Sequence, residues 1–358
     1  MVDIDATARH QSLIDADIHN VVPTIETLFP YLTEHWREYI RQSAFKGPTE
    51  TPYPDGAATS LRPEWRASGA GPAGSSLALL QEQVLDPQGA EYAILNCAYG
   101  IESIHNPDAA AALASAVNDW QIAEWLEREP RLRASIVVPS QQPAMAAREI
   151  DRVGGHPGFV QVYLPVRSAM PYGNRLHHPV YEAAVRHDLA VGLHFGGGTG
   201  TPPTPVGWPT YYIEEYAGMA QVFQSQLTSL IVEGVFDHFP ALRVACIESG
   251  WTWLPAHLWR IDKEWKGLRR EVPWVRRAPS EYIREHVRFT LQPCDAPPDP
   301  ARLAQLFAQL ESPDLVMFSS DYPHRHADAP VDATFAEVLP APLRQKLLTD
   351  NARTFYRL

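Results

Sequence analysis

Eight short apolar runs, rich in β-branched residues and bounded by turn formers, punctuate the chain at 13–18, 92–97, 134–138, 159–164, 190–195, 243–247, 287–291 and 315–319. Runs of this length and composition predict strands. Between most of them, segments 109–128, 142–153, 178–186, 215–237, 255–265, 301–310 and 343–351 place apolar residues three and four apart, the spacing of a helix with one buried face. Strands alternating with helices predict parallel strands joined by crossovers. Eight such units predict a closed α/β barrel, the (β/α)8 or TIM barrel; fewer would predict an open doubly wound sheet.

Two stretches exceed a minimal barrel. One is a long insertion after the first strand, 21–86, whose middle (47–76) is rich in Gly, Pro and Ser. The other is GGGTGTPPTPVGWPTYY, 196–212, directly after the fifth strand. Both leave C-terminal strand ends, where a barrel builds its active site. No repeat or linker divides the chain, so 1–358 is expected to be one domain.

Composition narrows the functional classes. The 358 residues carry a formal net charge of −12, which disfavours nucleic acid as a partner. No basic run suits an anionic membrane, and no stretch of signal-peptide or membrane-span character appears, so a soluble, cytoplasmic protein is expected. Cys97, Cys246 and Cys294 are odd in number and widely spaced, and read as reduced core thiols.

Chemistry concentrates at strand ends. The first strand reads Leu13-Ile14-Asp15-Ala16-Asp17-Ile18-His19. Strict alternation places Asp15, Asp17 and His19 on one face, opposite Ile14, Ala16 and Ile18. Buried charges need partners, and a metal ion is one; a capping or structural carboxylate network is another. The fifth strand ends in His194 before three glycines, and the eighth ends in Asp321. One such residue is unremarkable for a core or a helix cap. Together, at the ends of strands one, five and eight, they converge on one mouth.

The segments IDADIHN, MPYGNRLHHPVYEAAVRHDLAVGLHFGGG, FPALRVACIESGWTWLPAHLWRID, VMFSSDYPH and LLTDNARTFYRL resemble the amidohydrolase superfamily. More narrowly they resemble its amidohydrolase-2 group, which includes the α-amino-β-carboxymuconate-semialdehyde and γ-resorcylate decarboxylases. The resemblance implies one divalent metal held by Asp17, His19, His194 and Asp321, with zinc as the first expectation and manganese or iron as alternatives. Asp17 stands where many members carry His or Glu. Glu248 stands on strand six where many carry His, and could act as base, further ligand or structural acceptor. His324 is a candidate for binding substrate or supporting a ligand. His238 is expected to be structural, and His177 and His178 to cap or face solvent. Trp208, Tyr211, Tyr212, Trp251 and Trp253 are candidates to line a pocket for a ring.

Two reactions suit these residues. In the first, a decarboxylase or C–C lyase of an aromatic or conjugated acid, Asp321 delivers a proton to the carbon that loses carbon dioxide. In the second, a hydrolase of an ester, lactone, amide or C–C bond, Asp321 or Glu248 takes a proton from water. A dinuclear-metal oxygenase would need Glu248, His324 or Asp15 as further ligands. A degenerate barrel serving as partner of an active homologue is the reading from another class. The expected partner is a small-molecule substrate. The resemblance also implies a homodimer or higher oligomer, with 21–86 as the candidate contact, and the degenerate reading would add a homologous partner subunit.

Overall fold

The computed structural model describes residues 12–48, 65, 71–198, 202–297, 299–324 and 339–358. Its eight strands are β1 Leu13–Ile18, β2 Ala90–Leu95, β3 Leu132–Val137, β4 Phe159–Arg167, β5 Ala190–Gly197, β6 Val244–Ile247, β7 Val287–Thr290 and β8 Val316–Met317. All neighbours pair in parallel, in chain order. A parallel bridge between Ile18 and Tyr322, with Ala16 N–H donating to the Phe318 carbonyl, brings β8 back to β1 and closes the barrel.

Helices fill the crossovers: α1 Glu34–Ser43, α2 Pro107–Gln121, α3 Pro143–Val153, α4 His178–Arg186, α5 Tyr212–Val232, α6 Leu254–Leu268, α7 Pro279–His286, α8 Pro300–Gln309 and α9 Asn351–Tyr356. Local sequence starts several of them. Asn106 accepts from the N–H groups of Asp108 and Ala109 with Pro107 at the first turn of α2, and Asp299 does the same for Ala301 ahead of α8. The insertion contributes α1 and a 3-10 turn at Ile25–Tyr31; most of its Gly/Pro/Ser-rich middle lies outside the described residues. The expected helices all appear, the one at 343–351 as a turn at Ala341–Gln345 that continues through Lys346–Asp350 into α9, and α1 and α7 are added.

Burial falls into two layers. The larger joins the outer strand faces to the helices. The smaller gathers Ile14, Ala16, Ile94, Val160, Ala190, Ala245, Ile247 and Met317 with Ala352, Phe355 and Tyr356 of α9. A cluster touching six strands at once fills the barrel interior, and α9 closes its N-terminal end.

Here β1 departs from strict alternation. Its register against β2 slips between Asp15 and Ile18, where three residues of β1 span two of β2. Such a bulge re-aims the side chains beyond it. Ile14 and Ala16 join the interior cluster, whereas Ile18 joins the outer one. Asp15 therefore does not share the site face with Asp17 and His19. Its Oδ1 accepts from the N–H groups of Asp17 (3.2 Å) and Ser320 (2.9 Å), tying β1 to β8, and burial pushes its carboxyl up to about 7.

Candidate metal centre

At the C-terminal mouth the ends of β1, β5, β6 and β8 bring Asp17, His19, His194, Glu248, Asp321 and His324 together. His19 Nε2 lies 2.9 Å from Asp321 Oδ1 and 3.8 Å from Asp17 Oδ1, and His194 Nε2 lies 3.6 Å from Asp17 Oδ1. The imidazoles of His19 and His194 stand perpendicular, with centroids 5.1 Å apart. Two overlapping groups, Asp17–His19–His194 and His19–Asp321–His324, have donor atoms all within 4.8 Å of one another. Ligands about 2.1 Å from a shared cation sit roughly 3.0–3.4 Å apart at right or tetrahedral angles, so these separations suit one ion.

The donor set fits a divalent cation. His194 Nδ1 faces the Phe195 carbonyl at 2.9 Å. Nδ1–H donation there leaves the Nε2 lone pair aimed into the site, the usual orientation of a ligating histidine. His194 Nε2 and Asp17 Oδ2 are both buried with no hydrogen-bond partner. Buried polar atoms are rarely left so without a reason. Asp17 and Asp321 are 0% exposed and Glu248 only 5%, so three carboxylates share a site that water screens poorly. A cation offsets the repulsion.

Backbone geometry marks the same place. Glu248 and Asp321 hold φ of 54° and 56°, left-handed values that strain residues bearing a Cβ. Glu248 N–H donates to Thr290 Oγ1, and its carboxylate oxygens lie 3.7 Å from His194 Nδ1 and 4.0 Å from His324 Nδ1. Burial first, then the charges of Asp321 and Asp17, push its carboxyl well above the usual range. Burial lowers the His19 imidazole below its ordinary value. His324 Nδ1 meets Asp321 Oδ1 at 2.9 Å.

A model of the amidohydrolase family, Amidohydro_2, matches residues 14–358. The chain belongs to that family. Among similar curated proteins, the gamma-resorcylate decarboxylase of Polaromonas sp. strain JS666 is 27% identical over 77% of this chain and 86% of its own length. Among solved structures, 5-carboxyvanillate decarboxylase from Sphingomonas paucimobilis superposes with a TM-score of 0.70 at 21% identity, covering 97% of this chain and 99% of that one. A dihydroxybenzoic acid decarboxylase from Polaromonas sp. JS666, solved with manganese and the inhibitor 2-nitroresorcinol, gives a TM-score of 0.69 at 22% identity, covering 97% of each chain.

Other expected residues of this amidohydrolase are placed differently. Trp251, in the turn after β6, is fully buried with its ring 4.6 Å from Phe307 of α8, so it packs that turn against the helix rather than lining the mouth. Trp253 packs on Phe289 and His257. Trp208 and Tyr211 are exposed on the loop after β5. His238 stacks on His178, and His177, expected to cap or face solvent, is buried against Tyr172. Two groups near the mouth, Arg167 and Asn96, carried no motif. Arg167 ends β4 at the mouth and pairs with Glu215 of α5 at 2.7 Å, both buried. Tyr212, one of the pocket candidates, starts α5, where burial first and then the charges of Glu215 and Glu248 raise its hydroxyl above the ordinary value. Asn96 donates to Asp17 Oδ1 at 2.8 Å; it was visible only as a polar residue in an apolar run.

Proposed function

We propose that this amidohydrolase is a metal-dependent decarboxylase of an aromatic or conjugated carboxylic acid. The observation that carries the reading is the buried Asp17–His19–His194–Asp321 cluster, with its two partnerless donor atoms, in a chain related to gamma-resorcylate decarboxylases along most of its length. Asp17, His19, His194 and Asp321 are the residues that would hold the ion. When bound, it would grip the substrate carboxylate and a neighbouring oxygen, orienting the bond to be broken. Manganese, found in a structural neighbour, joins zinc as the ion to load first, and two imidazoles with two carboxylates suit either.

The remaining work falls to protein groups. Asp321 donates a proton to the ring carbon as the carbon–carbon bond breaks and its electron pair stays on the ring; carbon dioxide departs. His324, in contact with Asp321, is the route by which the proton is restored. Glu248 forms the third carboxylate wall. Arg167 is the cation on the mouth side of β4 that an acidic ring would approach. Tyr211 and Trp208 lie on the loop that would cover it.

Protein loaded with Mn²⁺ or Zn²⁺ and incubated with γ-resorcylate and 5-carboxyvanillate is expected to release carbon dioxide and yield the decarboxylated phenol, read by headspace analysis and mass spectrometry. Intact acids alongside cleavage of a lactone, ester or amide panel would replace this reading with hydrolysis. Protein that takes up no metal would favour the degenerate partner.

A further inference from the structure

We propose that Asn96 is a positioning residue for Asp17, held in its orientation by a relay of hydrogen bonds that crosses the barrel interior from Tyr356 through Gln161 and Ser135. The inference deepens the metal reading above and rests on it.

Asp17, Asn96, Ser135 and Gln161 are each 0% exposed, so their polar atoms can be satisfied only by other protein groups. Tyr356, on the helix that closes the far end, donates its hydroxyl to Gln161 Oε1 at 3.0 Å. With that oxygen engaged, the Gln161 amide turns its Nε2 toward Ser135 Oγ, 2.8 Å, and Asn96 Oδ1, 3.2 Å. Ser135 Oγ then donates to Asn96 Oδ1 at 2.6 Å. Two donors converge on Asn96 Oδ1, so its Nδ2 must face Asp17, where it donates to Oδ1 at 2.8 Å. Reversing either amide would set donor against donor and oxygen against carboxylate. Every donor in the relay points toward Asp17.

The relay also requires space. A Cβ on Gly192 of β5 would stand 2.5 Å from the Gln161 amide, so glycine is what lets that amide lie across the barrel. This accounts for a glycine inside an otherwise apolar strand, two residues before His194.

The consequence concerns an unusual ligand. Aspartate is short, and the bulge in β1 is what carries Asp17 into the site. A carboxylate so placed can still rotate about its last bond. The Asn96 amide arrests that rotation, leaving Oδ1 at 3.6 Å from His194 Nε2 and Oδ2 without a protein partner. Outer groups that orient a ligand typically alter metal affinity about 10–100-fold.

Full-length wild type, N96A, S135A and Y356F would be compared for Mn²⁺ dissociation constant by chelator competition, for Mn²⁺ EPR line shape, and for melting temperature in the metal-free form. N96A is expected to weaken Mn²⁺ about 10–100-fold and to change the EPR spectrum. S135A and Y356F, which leave Asn96 in place and each remove one donor, are expected to show smaller losses of the same sign. A network that served only the core would lower melting temperature while leaving affinity and spectrum unchanged, and that result in N96A overturns the proposal. If N96A does not fold, wild-type affinity and spectrum in both S135A and Y356F overturn it. Wild type that binds Mn²⁺ with N96A equal to it removes only the relay; wild type that binds neither Mn²⁺ nor Zn²⁺ removes the metal reading as well.

Discussion

The two ends of this barrel are built from the same strands and obey opposite rules. At the N-terminal end Ile14, Ala16, Ile94 and Met317 meet Ala352 and Phe355, and apolar surface covers apolar surface. A few residues further along, the strands end in Asp17, His194, Glu248 and Asp321, buried polar groups facing one another with Asp17 Oδ2 and His194 Nε2 left without hydrogen-bond partners. The first end lowers free energy by removing apolar area from water. The second raises it unless a cation is present, because like charges are held where water cannot screen them. Stability is drawn from one end and chemistry placed at the other, as barrels generally divide the work.

That division can be broken deliberately. The largest effect is expected from D321N, which should lower kcat about 10²–10⁴-fold with an unchanged circular dichroism spectrum, the loss typical of a missing proton carrier; full activity would remove Asp321 from that role. F355A, at the other end, should cost about 3–5 kcal/mol in chemical denaturation, as for other buried Phe truncations, while the folded fraction keeps its Mn²⁺ affinity. A comparable loss of affinity would show that the ends are not separable. Acid supplies a third test away from the mouth. Burial holds His177 at about 4, below its ordinary 6.5, so the folded state favours the neutral ring. Its contribution is complete above 6.5 and is lost as pH falls toward 4, so melting temperature should drop across that window and drop less in H177Q. The smallest effect belongs to W208A: at 55% exposure its stability should stay within about 0.5 kcal/mol of wild type, while a several-fold rise in KM would place its ring over the substrate.

Much of the barrel was legible because its period is local. Strand β1 lies at Leu13–Ile18 as its apolar run predicts, and α4 at His178–Arg186 as its helical spacing predicts. The remaining strands fall within a few residues of their runs. The candidate ligands were legible for a related reason. Asp17, His19, His194 and Asp321 interrupt or end apolar strands, and a barrel gathers such ends on one face. Trp251 misled because an aromatic at a strand end is as useful to an enclosing helix as to a pocket, and no local pattern separates the two.

By itself, then, the sequence determined the alternation of elements, the closure into eight strands, the mouth at which the polar strand ends meet, and the family. Tertiary structure alone decided that Asp15, which strict alternation sets on the face of Asp17 and His19, turns away from the site, since the bulge is a property of the pairing between β1 and β2. It also decided that Asn96, Ser135, Gln161 and Tyr356, drawn from β3, β4, α9 and the end of β2, form one directed relay. Periodicity is written by neighbours a few residues apart and can be read along the chain. Register and hydrogen-bond direction are set between residues as far apart as Asp15 and Ser320, 305 positions, and exist only once the barrel has closed.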